Sequence, residues 1–248
     1  MSTKSIVLLD LLCTLHPDTP RERLMAAIVC GDIKVNDETV RDPKVRVSLN
    51  ARIDWLPERP VGRGYDKLQA ALETFVVECY DQIVLDAGSS TGGFTQRLLD
   101  SGARSVYAVD VGRNQLAWRL RIDSRVFVME ETNVLAIGSD DLQLRPDFAV
   151  CDLSFRSLRQ VAAHIARLTR TGRLIALAKP QFEGATGAGF DGVVSDSAGK
   201  ELIEDLISDL TIEGLRCDGK MPSVLRGRKG NQEFFLDLRL GTTTSIRK

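Results

Sequence analysis

The chain has 248 residues, 43% hydrophobic and 27% charged, and its 33 Lys and Arg against 34 Asp and Glu leave a net charge of −1. That length suits one α/β domain with a small appendage, and the charge balance excludes a bulk electrostatic pull toward nucleic acid or membrane, so any nucleic-acid surface has to be a local patch. Five cysteines without C-x-x-C spacing read as reduced packing residues of a cytoplasmic protein, two histidines are too few for a histidine-rich metal site, and no apolar run reaches the roughly 18 residues of a membrane span.

Residues 1–57 read as a small α+β unit. Ile6 to Leu12 supply a first helix; the apolar stretch to Leu15 is broken by Asp10 and has no small-residue cleavage site, so it is not read as a signal peptide. Thr19 as N-cap, Pro20 at the first helical position and Glu22 start a second helix that ends at Gly31. Ile33 to Asn36, a turn at Asp37-Glu38, and Thr39-Val40, Val45 to Val47 and Arg52-Ile53 give short strands. Pro57, Pro60, Gly62 and Gly64 punctuate a linker over 58–64. From 65 to 248 the pattern alternates: a helix over 67–78, strands at 82–86, 105–110, 125–130, 147–152 and 173–178, and helices at 92–101, 113–121 and 156–168. Alternation of this kind predicts a doubly wound, mostly parallel sheet. A helix over 198–213 and strands near 215–221 and 232–240, joined by a basic loop, predict a terminal antiparallel hairpin.

The stretch from Leu85 to Thr95, L-D-A-G-S-S-T-G-G-F-T, is a strand end, a glycine-rich turn and a helix start. Glycine there lets a ligand approach the backbone. A second apolar strand follows and ends in Asp110, placed to bond a ribose. The turn is not the G-x-G-x-x-G of dinucleotide sites, because Ser90 stands at the second glycine. Nor is it a P-loop, because Phe94 stands where the phosphate-binding lysine belongs. A nucleoside cofactor without phosphates, S-adenosylmethionine, suits it; an ordinary tight turn with no ligand is the alternative.

The N-terminal unit resembles the RNA-binding module of ribosomal small-subunit protein four, through Pro20-Arg21, Ile28, Gly31, Ile33, Val35 and Asn36. Arg21, Arg23, Lys34, Arg41, Lys44 and Arg46 are its candidate phosphate contacts, although eight Lys and Arg face eight Asp and Glu across 1–57. The larger unit is similar to the FtsJ-like methyltransferases, and the two together to the TlyA (hemolysin A) family. The shared runs are VGRGYDKL (61–68), LDAGSSTGGFT (85–95), VYAVDVGRNQLAWRLR (106–121), MEETN (129–133), CDLSF (151–155), LAKPQFE (177–183), the run around 192–196 and GRKGNQEFF (227–235), in family order. Tyr65-Asp66 departs from the small and apolar residues that the family has before the lysine, a change able to displace Lys67 or reshape the linker.

The resemblance implies a Rossmann-like sheet that binds S-adenosylmethionine and methylates a ribose 2′-hydroxyl of ribosomal RNA or ribosomal subunits, in the cytoplasm and without a metal. It also implies a catalytic Lys-Asp-Lys-Glu set, which falls on Lys67, Asp152, Lys179 and Glu233. A 2′-hydroxyl is a poor nucleophile and must be aligned and relieved of its proton. Lys179 is expected as base or alkoxide stabiliser, Asp152 and Lys67 as its orienting partners, and Glu233 on the ribose. For the cofactor the candidates are Asp86, Gly88, Ser89, Ser90, Gly92 and Gly93 in the turn, Asp110 and Val111 at the ribose, Thr132 and Asn133 at the adenine edge, and Asp152 in a double role. Arg226, Arg228 and Lys229 form a candidate phosphate clamp beside Glu233, and Trp55 and Trp118 are candidates for stacking, Trp118 being the better fit to packing. Two other readings stand beside this one: a hemolysin-like membrane-active protein, and an RNA-binding protein with impaired catalysis.

Overall fold

The structure is a computed structural model that describes residues 5–55, 60–154, 156–184 and 191–241. Residues 58–59 of the expected linker, Pro57 and Phe155 lie outside the described residues. The chain divides into two compact units, one of Met1–Val61 with Leu116–Ser124 and the other of Gly62–Gln115 with Arg125–Lys248.

In the smaller unit, β1 (Ser5–Val7) pairs antiparallel with a later strand, so Ile6 and Val7, expected in the first helix, are extended. Helix α1 (Leu8–Leu15) buries Leu8, Leu9, Leu11 and Leu12 on one face. Helix α2 (Arg21–Cys30) begins one residue later than the capping pattern suggests: Pro20 is itself the cap, with no side-chain cap bond, and Gly31 closes the helix at φ 82°. Strands β2 (Ile33–Val35) and β3 (Glu38–Thr39) form a hairpin whose two turn residues are Asn36 and Asp37, at φ 51° and 70°, one position before the expected turn. Two consecutive left-handed residues match the twist of the strands, and Asn and Asp tolerate that conformation best after glycine. Strand β4 (Arg46–Ser48) pairs with β1, and β5 (Ile53–Trp55) with β2. Leu24, Ile28, Ile33 and Val35 join the α1 leucines in one core. Segment 116–124 adds buried Leu116 and Leu120 to this unit.

The larger unit opens with α3 (Gly64–Thr74) and β6 (Ile83–Ala87), which leads into α4 (Gly93–Asp100) and β7 (Ser105–Val109). The helix expected over 113–121 shrinks to α5 (Trp118–Arg121), which belongs to the smaller unit. The reason is local: Asp110 accepts the Gly112 N–H, and Glu130 accepts those of Asn114 and Gln115, so carboxylates hold the amides a helix would use. Strands β8 (Val126–Met129), β9 (Phe148–Cys151) and β10 (Arg173–Ala178) follow, with α6 (Ala162–Leu168) between the last two. The expected helix over 156–168 begins instead as a 3-10 turn at Leu158–Gln160. After β10 come α7 (Pro180–Glu183), α8 (Asp196–Ile212), β11 (Leu215–Pro222) and β12 (Phe234–Leu240).

The sheet order is β11-β12-β10-β9-β6-β7-β8, parallel from β10 to β8, with β12 antiparallel to both β10 and β11. This is the expected α/β sheet with an antiparallel end. Strands β6, β7, β9 and β10 are buried almost throughout, as near-continuous apolar runs covered on both faces should be. Chain order runs outward from β6 to β8 and then restarts at β9 on the other side of β6. Such a reversal leaves a crevice at the carboxyl ends of β6 and β9, where ligands of open α/β sheets sit.

Candidate active site

Asp86 lies in the last turn of β6, fully buried. One of its oxygens accepts a 2.6 Å hydrogen bond from the Thr95 hydroxyl; the other, Oδ1, has no partner among the described residues. Burial pushes this carboxyl up to about 7, against the lowering effect of the Thr95 bond, with Asp152 and Asp110 adding to the rise. The chain then turns at Gly88, at φ 90°, and the N–H groups of Gly88 and Ser89 both donate to the Val109 carbonyl. A Cβ on Gly88 would lie 2.6 Å from the Asp152 carbonyl oxygen. The glycine therefore first lets the ends of β6 and β9 close on each other. Ser89 Oγ is buried and, like Asp86 Oδ1, lacks a partner among the described residues. Buried polar atoms are nearly always paired in native proteins, so these two oxygens are acceptors open to a bound polar group.

Ser90 adopts φ 47°, a strained value for a residue with a side chain, and its N–H donates to Asp110 Oδ2 at 2.8 Å. Asp110 Oδ1 accepts from Gly112 at 2.7 Å. Each oxygen retains acceptor capacity, since an ionised carboxylate offers about four lone-pair sites. Gly92, at φ 100°, caps α4. Gly93 serves packing: a Cβ there would sit 3.0 Å from the Tyr65 amide nitrogen and 3.2 Å from Gly64 Cα, so its role is the close approach of α3 to α4. Val111 is 71% exposed beside Asp110. The Thr132 N–H donates to the Asp110 carbonyl and its hydroxyl to the Glu130 carbonyl. Asn133 Oδ1 caps the 3-10 turn at Val134–Ala136 by accepting from Leu135, which leaves its side-chain NH2 as a donor.

The four members of the Lys-Asp-Lys-Glu set fall into two ion pairs. Lys67 Nζ lies 2.5 Å from Glu233 Oε2, with both side chains buried. Lys179 Nζ lies 2.6 Å from Asp152 Oδ1 and donates to Ser154 Oγ at 3.2 Å. The departure at Tyr65-Asp66 does not dislodge Lys67. Tyr65 lies beneath the Arg97 guanidinium, 5.5 Å from its ring centre, while Asp66 is exposed. Lys179 caps α7, whose Pro180 fixes the backbone just past β10.

Three residues outside the sequence expectation organise the site. Glu130 holds the loop after Asp110 through two backbone amides. Ser154 is the second partner of Lys179. Glu183, the last residue of α7, accepts from Ser157 Oγ at 2.5 Å, from Leu158 N at 2.9 Å and from Arg159 at 3.0 Å, and so ties the chain beyond Asp152 to the turn beyond Lys179. Its burial raises its own carboxyl above the usual range. Glu130 and Glu183 lie inside MEETN and KPQFE, so position in those runs is the one signal that pointed to them.

The basic loop after β11 is largely committed. Arg226 forms a two-pronged pair with Asp196 and bonds the Gly230 carbonyl, and Lys229 bonds the Asp191 carbonyl. Arg228 is exposed and has no hydrogen bond or ion pair among the described residues. In the smaller unit, Arg41 bonds the carbonyls of Val29 and Cys30 at the end of α2, and Arg46 bonds Ser5 across β1 and β4. Those two are structural. Arg21 pairs with Asp10 at 3.0 Å, Arg23 is exposed, and Lys34 has no ion pair among the described residues. Trp55 meets His16 edge-on at 5.2 Å, whereas Trp118 is 39% exposed rather than packed away.

Comparison with known proteins gives a consistent picture. Residues 60–240 match the FtsJ-like methyltransferase family. The chain is 42% identical to YqxC of Bacillus subtilis over 88% of its own length and 80% of that protein. It is 37% identical to the 16S/23S rRNA (cytidine-2′-O)-methyltransferase TlyA of Mycobacterium tuberculosis over 91% of its length and 87% of that protein. A structure from Streptococcus thermophilus, described as a hemolysin, superposes with a TM-score of 0.71 at 32% identity, covering 97% of this chain and 90% of that one.

Proposed function

The chain belongs to the FtsJ-like methyltransferase family, in its TlyA branch, and on that premise we propose that it is an S-adenosylmethionine-dependent enzyme that methylates a ribose 2′-hydroxyl of ribosomal RNA. The observation that carries the reading is the pairing of Lys179 with Asp152, one strand away from a glycine turn with unpartnered buried oxygens.

S-adenosylmethionine supplies an electrophilic methyl group on a sulfonium. The residues that would hold it are those of the turn and the two strand ends beside it. Asp86 Oδ1 and Ser89 Oγ are acceptors suited to an ammonium, and Asp110 takes ribose hydroxyls on the lone pairs its backbone contacts leave open. Val111 offers an apolar face, and Thr132 and the Asn133 amide offer polar edges, to the adenine. Three acids, Asp86, Asp110 and Asp152, act on one another here, and that negative field favours a cationic ligand.

Lys179 is the central group. Held by Asp152 and Ser154, its ammonium would lie against the 2′-oxygen and stabilise the negative charge that develops there as the oxygen takes the methyl group, the hydroxyl proton passing to water. Lys67 and Glu233 form a second, buried pair whose task is to position the ribose. Arg228, with Arg226 and Lys229 fixing its loop, is a phosphate contact. The smaller unit docks RNA, through Arg21, Arg23 and Lys34. Ribosomal RNA as substrate puts the work in the cytoplasm; among the described residues no helix is long and apolar enough to cross a membrane.

The test is transfer of tritiated methyl from S-adenosylmethionine to purified 16S and 23S RNA or intact subunits, with the product mapped as an alkali-resistant dinucleotide. Label at a base, or none on any ribosomal RNA, would overturn the reading.

A further inference from the structure

The opposite edge of the sheet carries a different set of residues. Arg104 immediately precedes β7 and Arg125 precedes β8, Arg145 stands three residues before β9, and Arg170 three before β10. Backbone bonds fix these positions: Arg104 N–H donates to the Gln82 carbonyl, Val106 N–H to the Arg125 carbonyl, Asp147 N–H to Ile83 and Arg170 N–H to Pro146. All four arginines are exposed. With strands about 4.8 Å apart, the row from β10 to β8 extends for roughly 19 Å. A cleft of about 430 Å³ opens along it, lined by Arg104, Arg145 and Arg170 with Asp81 and Asp147.

The acids cancel only part of this row. Asp147 is buried, with its oxygens taken by the Ile83 N–H at 2.9 Å and by Arg170, so it offsets Arg170 and not Arg104 or Arg145. Asp81 lies 3.9 Å from Arg104 with both side chains more than half exposed, too loose a pair to neutralise the guanidinium. Among the described residues Arg145 bonds only the Arg167 carbonyl, through one nitrogen, and Arg167 adds another exposed cation. A guanidinium has five donors, so most remain for a partner.

We infer that this arginine row at the amino edge of the sheet is a second RNA-docking surface, which grips the phosphodiester backbone of the same large RNA at a distance from the methylated ribose. The inference rests on the ribosomal-RNA reading above for the identity of the polyanion. The layout favours an extended chain of phosphates over a single small anion. The arginines are spread over four of the five strands from β10 to β8, three of them along one cleft, which is open and rimmed by solvent-exposed side chains. Phosphate contacts of this kind set register and orientation and carry no sequence information. They let an enzyme of net charge −1 bind RNA through local patches.

The test uses the full chain and purified 16S and 23S RNA in filter binding across a salt series. Arg104→Ala/Arg145→Ala should weaken binding roughly tenfold near 0.1 M salt and lower the steepness of the log–log salt dependence by about 1.4–1.8, the share of two phosphate contacts. S-adenosylmethionine affinity should be unchanged. Arg104→Gln/Arg145→Gln, which keeps shape and hydrogen bonding, should behave alike and serves if the alanine pair folds poorly. Arg216→Ala/Lys220→Ala removes equal charge from β11 and should leave the slope unchanged. Equal loss in that control, or an unaltered slope in the Arg104/Arg145 pair, overturns the inference. So does a stoichiometric pyrophosphate site that the alanine pair abolishes, because that would make the cleft a small-anion site. If the wild-type chain transfers no methyl but shows the arginine-dependent slope, the enzymatic reading falls and the docking surface stands; methylation with an unaltered slope is the reverse case.

Discussion

The two edges of one sheet are built on opposite rules. Strand β6 begins at Ile83, whose N–H donates to the buried carboxylate of Asp147, and near its far end carries Asp86, whose Oδ1 is equally buried and has no partner among the described residues. At the amino edge the buried acid is satisfied and the surplus charge is positive and exposed. At the carboxyl edge acids gather, buried oxygens stand unpaired and the cations, Lys67 and Lys179, are buried. An unmatched buried polar group is costly and persists where a ligand matches it; exposed charge costs little and marks a surface. On the readings proposed above, the contrast separates a pocket for a cationic cofactor from a face for a polyanion, within a single set of strands.

The strongest way to break this comparison is at Lys179. Lys179→Ala should slow single-turnover methyl transfer by about 10²–10⁴-fold with both substrates saturating, the size of a lost proton-transfer or oxyanion contribution. Lys179→Arg should not restore it, because a planar guanidinium cannot take the ammonium's place between Asp152 and Ser154. Near-normal turnover in Lys179→Ala would reduce the Lys179–Asp152 pair to a structural contact.

The next two effects form a matched pair. Asp110→Ala removes the ribose acceptor and the anchor of Ser90 and Gly112, so calorimetry should record S-adenosylmethionine affinity lower by roughly ten- to hundredfold, about 1.5–3 kcal/mol. Asp147→Ala at the other edge strands the Ile83 N–H and should cost about 1–3 kcal/mol of stability in urea denaturation. It should leave cofactor affinity alone. If the two substitutions affected binding equally, the edges would not be functionally distinct.

Much of the carboxyl edge was legible because its groups sit at strand termini with a local signal: Asp86 and Gly88 at the end of β6, Asp110 closing the second strand, Lys179 before Pro180. What stayed hidden depends on loops meeting in space. Glu130 reaches back to Asn114 and Gln115, and Glu183 reaches Leu158, across separations that no periodicity encodes. The stretch 113–121 reads as one more helix of the alternation, yet its Leu116 and Leu120 are buried in the smaller unit. Removing residues 1–57 would strip those leucines of their neighbours, so the docking role of the smaller unit is better tested by Lys34→Ala, with a salt slope lower by about 0.7–0.9 for one lost phosphate contact.

The sharpest discriminator belongs to one carboxyl group. Burial raises Asp86 to about 7, whereas an aspartate in an unfolded chain titrates near 3.9. Between those values the folded chain holds a proton that the unfolded chain has released. Stability without cofactor should therefore fall as pH rises through that window, by at most about 1.4 kcal/mol per pH unit, and level off above it. Asp86→Asn keeps the Thr95 bond and cannot ionise, so it should match the wild type near pH 4 and exceed it increasingly up to pH 7. Cofactor affinity should move the opposite way. The ionised carboxylate is the better partner for an ammonium, so wild-type affinity should rise with pH toward 7, and Asp86→Asn should bind weakly and with no such rise. Denaturation and calorimetric titrations of both proteins at matched pH values check the two halves together. Parallel stability curves for wild type and variant would mean that Asp86 ionises as freely in the fold as in the unfolded chain, and that the carboxyl edge holds no unmatched charge for a ligand to complete.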